Sequence, residues 1–323
     1  MKETPKYSVI VPVYNRPEEI RELLESLTRQ TFTNFEVLIV EDGSSVSSEA
    51  IVKSYSDKLA IHYFFKSNTG PGPSRNFGFE KASGKYLVVF DSDCIVPSSY
   101  FSAVEDFLKV NEVDAWGGPD RGHESFTPLQ QAMAHTMSSF LTTGGIRGGK
   151  KQLDNYQPRS FNMGLSRSTY EKTKGFHFDR LAEDIELSVR TKKLGLSIYL
   201  IPQAFVFHKR RSTLAAFFEQ VLNFGRGRVL VGRQHPGEVK WVHWFPAFFT
   251  MGLFMMPILF FLFPLLGWSM LLGYVVFLFL IALEGYVKSR SISVALLSLP
   301  SSLVQLIGYG FGFLSQKIQN LTQ

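Results

Sequence analysis

The chain has 323 residues, 45% hydrophobic and 19% charged, with a formal net charge of +6 and a single cysteine. That length accommodates a domain with a sizeable core plus something smaller. The lone Cys94 excludes an internal disulfide and fits a reducing compartment, and basic residues gathered beside apolar runs point to anionic lipid headgroups and away from nucleic acid.

Tyr7 to Val13 (YSVIVPV) is a β-branched run suited to a buried strand, broken by Tyr14-Asn15-Arg16-Pro17. Ile20, Leu23, Leu24 and Leu27 then fall at helical spacing, with Pro17 at the start and Glu18 and Glu19 in the first turn. Phe35 to Val40 is a second strand, closed by Glu41-Asp42-Gly43, where the glycine lets the backbone turn away. A helix over roughly 49–56, a short strand over 61–65 and a turn-rich loop, Asn68-Thr69-Gly70-Pro71-Gly72-Pro73, follow. Next come a helix carrying Arg75 and Asn76 and an apolar strand, Tyr86 to Phe90, that ends in Asp91-Ser92-Asp93. Strands alternating with helices predict a parallel, doubly wound α/β sheet. In such a sheet ligands bind at the carboxyl ends of the strands. Two carboxylates there suit Mg²⁺ or Mn²⁺ bridging to phosphates, although Asp-Ser-Asp also starts ordinary turns.

After Ser98 the pattern loosens. Residues 117–156 are rich in Gly, Ser, Thr and Gln, with Gly-Gly pairs at 144–145 and 148–149, and suggest a long segment over the site. Order returns at Ser160 to Leu165, then a helix from Ala182 to Lys193, a strand from Leu196 to Ile201 and its extension from Ala204 to His208. Thr213 to Val231 has Leu214, Phe217, Phe218, Val221 and Leu222 on one side, as an amphipathic helix at a membrane surface does.

From Phe245 to Leu283 there is no Asp, Glu, Lys, Arg or His. This is about twice the ~20 residues that one crossing helix needs. Pro264 and Gly267 divide the run into two helices, about 245–264 and 266–286. A third apolar run, 292–314, contains Pro300, Ser301, Ser302 and Gln305, so a kinked, re-entrant or protein-packed helix competes with a crossing. Trp241, Trp244 and Trp268 sit where indoles favour the interface, and the basic flanks (Lys209 to Lys240, then Lys288 and Arg290) place both ends of the hairpin on the cytoplasmic side. Met1 to Pro5 leads straight into a strand without a signal-peptide pattern. The expected division is a catalytic domain over 1–210, an interface helix and linker over 211–243, and a membrane domain over 244–315.

Several strand ends thus carry polar groups: Asn15, Asp42, Asp91 and Asp93. The order Pro-Val-Tyr-Asn, Glu-Asp-Gly-Ser, Asn-Thr-Gly-Pro-Gly-Pro-Ser-Arg-Asn, Asp-Ser-Asp, then Phe161-Asn162-Met163-Gly164, Glu183-Asp184-Ile185-Glu186 and Val206-Phe207-His208, resembles family 2 inverting glycosyltransferases over roughly residues 7–210. The resemblance implies a GT-A fold, a Rossmann-like nucleotide-binding sheet with a small acceptor-side sheet, here followed by C-terminal transmembrane helices. It also implies roles for individual residues. Pro12, Tyr14 and Asn15 would wall the nucleoside, Asp42 would meet a uracil-type base, and Arg75 would touch diphosphate or base. Asp91 would hold the ribose or sugar, while Asp93 and His208 would hold the divalent ion, Mn²⁺ or Mg²⁺. Asp184 would be the general base, with Glu183 supporting it. Three of them have a plainer alternative: a helix cap for Asp184, a strand-end histidine for His208, a solvated helix residue for Arg75.

The processive polysaccharide synthases of that family carry Gln-x-x-Arg-Trp on the interfacial helix. This chain has Gln220-Val-Leu-Asn-Phe-Gly-Arg-Gly-Arg228 there, without the Trp, which favours transfer of one sugar. That stretch looks like membrane-anchored bacterial enzymes of exopolysaccharide or O-antigen assembly. Arg226 and Arg228 would then grip a lipid diphosphate, or merely anchor the helix by snorkelling. The expectation is an integral protein of the bacterial inner membrane, facing the cytoplasm, that moves a sugar from a nucleotide sugar (UDP by expectation) to a lipid-linked hydroxyl. A polyprenyl-phosphate glycosyltransferase and a non-catalytic nucleotide-sugar-binding scaffold are the alternatives.

Overall fold

A computed structural model describes residues 4–123, 125–144 and 156–322. The chain divides into two compact units, residues 1–123 with 151–209, and residues 124–150 with 210–323.

In the first unit, β1 (Tyr7–Val13), α1 (Pro17–Leu27), β2 (Phe35–Asp42), α2 (Glu49–Lys53), β3 (Ile61–Lys66), α3 (Pro71–Lys81) and β4 (Tyr86–Phe90) follow the sequence reading closely. They are followed by β5 (Cys94–Ile95), α4 (Tyr100–Leu108), β6 (Ala115–Gly117) and β7 (Asp120–Arg121). Strands β1 and β2 are buried along nearly their whole length, which is why they are continuous apolar runs. Alternate side chains still go to opposite faces: Val9, Val11, Val37 and Ile39 join Leu23 and Leu24 of α1, whereas Ile10, Leu38, Leu87 and Val89 join Phe79 of α3. Helix α3 starts at Pro71, earlier than the turn-rich sequence suggests. Prolines are tolerated there because the first turn's N–H groups have no helical partner anyway.

The second unit takes up the chain with α5 (Pro128–Ser138) and α6 (Phe140–Thr143). The expected loose segment over 117–156 is therefore corrected over 128–143. Thr127 Oγ1 accepts from Gln130 N while the Gln130 side chain accepts from Thr127 N, a capping box that starts a helix. The Gly-Gly pairs fall almost entirely outside the described residues.

Back in the first unit are β8 (Asn162–Ser166), α7 (Arg167–Thr173), α8 (Glu183–Lys193), β9 (Ile198–Leu200) and β10 (Val206–His208). The main sheet has the order β3-β2-β1-β4-β8-β6-β9. It is mixed, correcting the all-parallel expectation: β8 runs antiparallel to both β4 and β6. Nor does β10 extend β9. Ala204 N bonds back to Ile201 O in a turn, and β10 joins a small second sheet, β5-β10-β7. That sheet sets His208 opposite Cys94, beside Asp93.

The second unit continues with α9 (Leu214–Gln234), a 3₁₀ turn at Trp241–Trp244, α10 (Phe245–Leu262), α11 (Pro264–Ser289) and α12 (Ile292–Leu321). Three segments, Trp241–Leu262, Pro264–Ser289 and Ile292–Leu321, are long and apolar enough to cross a membrane by length and composition.

Candidate functional site

The carboxyl ends of β1, β2 and β4 carry the polar residues that the sequence singles out. Asn15 adopts a left-handed backbone, φ 53°, which asparagine tolerates better than most residues. Its Oδ1 accepts from Ser45 N at 2.8 Å and Val46 N at 3.0 Å, clipping the ends of β1 and β2 together. Tyr14 is exposed and Pro12 half-buried. Asp42 is buried and accepts from Lys66 Nζ at 2.5 Å, Thr69 N at 2.9 Å and Gly70 N at 2.8 Å. Burial pushes its carboxyl up, but Lys66 and the two backbone N–H groups outweigh that and hold it below the usual carboxylate range. Both oxygens thus organise the loop into α3, in addition to any contact with a base.

Arg75 joins two carboxylates. Its side chain is buried, with one terminal nitrogen donating to Asp91 Oδ1 at 2.8 Å and the other to Glu183 Oε1 at 2.7 Å. The guanidinium lies 5.3 Å from the Phe176 ring centroid. It is a strut beneath the site, joining the end of β4 to the start of α8, and its terminal nitrogens are already committed to two carboxylates.

Asp93 sits between Arg16 and His208. Arg16 donates to Oδ2 at 2.5 Å, and His208 Nε2 lies 3.1 Å from Oδ1. The His208 ring stacks on Phe161, centroids 4.7 Å apart. Donor atoms of Asp93, Cys94 and His208 lie within 4.8 Å of one another. Cys94 Sγ donates to Phe161 O at 3.5 Å, so the oxygen and nitrogen donors are the ones that fit an ion. Carboxylate with imidazole suits Mn²⁺, and Mg²⁺ less well. Arg16 and Phe161 were missed as site-builders; the position of Arg16 directly after the β1-end Tyr14-Asn15 was the one available signal.

Glu183 and Asp184 open α8, where acidic side chains are favoured by the helix dipole. Ala182 before them is left-handed at φ 58°, a strained conformation for a residue with a Cβ. Asp184 Oδ1 accepts from Ile185 N at 2.7 Å and Oδ2 from Ser160 N at 3.3 Å, with Arg159 Nη1 3.9 Å from Oδ1. Burial pushes the Glu183 carboxyl up to about 7, against the attraction of Arg75 and with a further rise from Asp184. One strand end and one helix start, joined through Arg75, therefore bring Asp91, Glu183 and Asp184 into one constellation, with Asp93 and His208 alongside.

A model of glycosyl transferase family 2 matches residues 8–174, just over half the chain. The chain belongs to that family. An uncharacterized glycosyltransferase of Escherichia coli strain K12, YibD, is 37% identical over 121 residues, which is 36% of this chain and 35% of that protein. The chain thus matches much less than two thirds of that relative's length. Among solved structures, the mannosyltransferase PcManGT from Pyrobaculum calidifontis, in complex with GDP-Man and Mn²⁺, superposes with a TM-score of 0.67 at 17% identity, covering 94% of this chain and 88% of that one. Staphylococcus aureus TarS 1–349 in complex with UDP-GlcNAc gives 0.51 at 18% identity over 97% and 92%. These likenesses establish the GT-A fold. In the second unit, Arg228 is buried and Arg226 half-buried within α9.

Proposed function

We propose that the chain is a membrane-bound inverting glycosyltransferase that moves one sugar from a nucleotide sugar to a hydroxyl of a lipid-linked acceptor. Its catalytic unit would face the cytoplasm. The observation that carries this reading is Arg75, which holds Asp91 of the donor side and Glu183 beside the base at 2.8 and 2.7 Å. A binding module has no need of a second carboxylate pair fixed so firmly against the first.

Asp93 and His208 would hold a divalent ion, whose charge favours departure of the diphosphate. The remaining chemistry falls to the chain. Asp184 takes the proton of the acceptor hydroxyl on Oδ2, its more weakly held oxygen. The hydroxyl oxygen bonds to the anomeric carbon from the face opposite the departing diphosphate, which inverts the centre. Arg75 keeps Glu183 beside Asp184, and Asp91 would meet ribose or sugar.

The structural neighbours are described with different nucleotides, GDP-Man in one and UDP-GlcNAc in the other, so both donor classes belong in the test. Detergent-solubilised full chain is offered a panel of UDP- and GDP-sugars with Mn²⁺ and lipid extract, and products are identified by mass. Asp184→Asn is expected to lower transfer more than about a hundredfold. Activity that survives this change, with a polyprenyl phosphate as acceptor, would instead support the reading in which the acceptor is already ionised. Absence of any metal-dependent transfer or hydrolysis across the panel would support a non-catalytic scaffold.

A further inference from the structure

Length and composition allow α12 to cross a membrane, and its neighbours locate its two ends. Helices α10 and α11 form an antiparallel pair: Phe260 meets Trp268 at 5.2 Å near one end, and Phe249 meets Tyr274 at 4.7 Å further along. The start of α10 and the end of α11 therefore share one end of the pair. Near the beginning of α12, Ser298 lies against Gly285, where an added Cβ would stand 3.1 Å from its Oγ. Near the far end, Phe313 packs edge-on against Trp244 at 4.8 Å, and Lys317 Nζ is 5.6 Å from the same ring.

From residue 298 to residue 313 a helix advances about 22 Å. Between them α12 packs along α10: Thr250 Oγ1 donates to Leu306 O at 3.3 Å, and Phe254 meets Phe311 at 5.5 Å. On its other side Gly308 and Gly312 let it close onto Phe218, Val221 and Leu222 of α9. Lys317 thus stands beside Trp244, the residue that precedes α10 and follows Lys240 by four positions.

A groove of about 520 Å³ opens there, lined by Gly237, Val239, Lys240, Trp241, Trp244 and Phe248. Trp241 is 84% exposed at its mouth. Indole rings favour the headgroup level of a bilayer, and lysines there attract anionic headgroups. We propose that this groove binds an anionic phospholipid of the bilayer, its phosphate between Lys240 and Lys317 and its upper acyl chain along Trp244 and Phe248. This site is separate from the acceptor reading, because it does not involve the first unit.

Native mass spectrometry of the detergent-solubilised full chain tests the proposal, with phosphatidylglycerol and phosphatidylcholine of identical acyl chains as probes. The wild type should retain phosphatidylglycerol over phosphatidylcholine, and Lys240→Gln with Lys317→Gln should weaken that retention about thirtyfold. Lys240→Arg with Lys317→Arg should restore it, and thermal melts check that each variant is folded. Brominated phosphatidylglycerol should quench tryptophan fluorescence, with most of the effect lost in Trp241→Phe/Trp244→Phe. Equal retention of the two lipids, retention unchanged by the glutamine pair, competition by soluble glycerol phosphate as strong as by lipid, or binding of polyprenyl phosphate alone would each overturn the proposal.

Discussion

Replacing Arg75 by methionine removes the strut while keeping much of its volume. Glu183 is then left nearly buried without its cation, and Asp91, with a side chain 30% exposed, keeps partial access to water. Deleting one partner of a buried ion pair costs about 3–5 kcal/mol. The exposure of Asp91 argues for the lower end, about 3 kcal/mol, or a melting temperature lower by roughly 6–12 °C. The loss should depend on pH. The Glu183 carboxyl is raised by burial from 4.5 to about 7 in the fold, so the folded state binds its proton more tightly than the unfolded chain does. Stability linked to Glu183 is therefore fully present below about 4.5 and falls as pH rises through about 7. Without Arg75 the folded value rises further, and the fall extends above pH 7. Thermal melts of wild type and Arg75→Met at pH 5.5 and pH 8 read this out directly. The variant should lose clearly more at pH 8, and Arg75→Met/Glu183→Gln should recover part of that difference. An equal loss at both pH values, or no recovery in the double variant, would refute the electrostatic account of the strut.

Other expectations follow from named contacts. Asp93→Asn and His208→Ala should each weaken Mn²⁺ binding at least about tenfold, measured by paramagnetic resonance of free Mn²⁺ on protein shown by thermal melts to be folded. Ala182→Gly should be neutral or stabilising by up to about 1 kcal/mol, because glycine accepts the left-handed turn; Ala182→Val should destabilise, and paired melts decide. Gly312→Ala places a methyl against the Leu222 carbonyl, forcing α9 and α12 apart; a loss of about 1–3 kcal/mol in thermal melts is expected.

Much of the nucleotide-side half was legible because its signals are local. The strands β1, β2 and β4 are short apolar runs bounded by breakers, and their carboxyl ends necessarily carry the next polar residues. Asp91, Asp93, Asn15 and Asp42 could be placed at strand ends for that reason. The capping box at Thr127 and Gln130 was equally local but was masked by the small polar residues around it, so α5 was missed. The reversal of β8 and the transfer of β10 to a second sheet had no local signal, since pairing partners are chosen by the whole chain.

The sequence by itself determined the two long uncharged spans, the chain order of the site motifs and the family, because composition and motif order do not depend on packing. Tertiary structure decided what those residues do to one another. It buried Arg75 between two carboxylates, set Arg16 and His208 on either side of Asp93, and packed α12 against α9 and α10 despite its apolar length. The physical reason is common to all three: burial, pairing and depth come from contacts between residues far apart in the chain, and hydropathy along the chain does not record them.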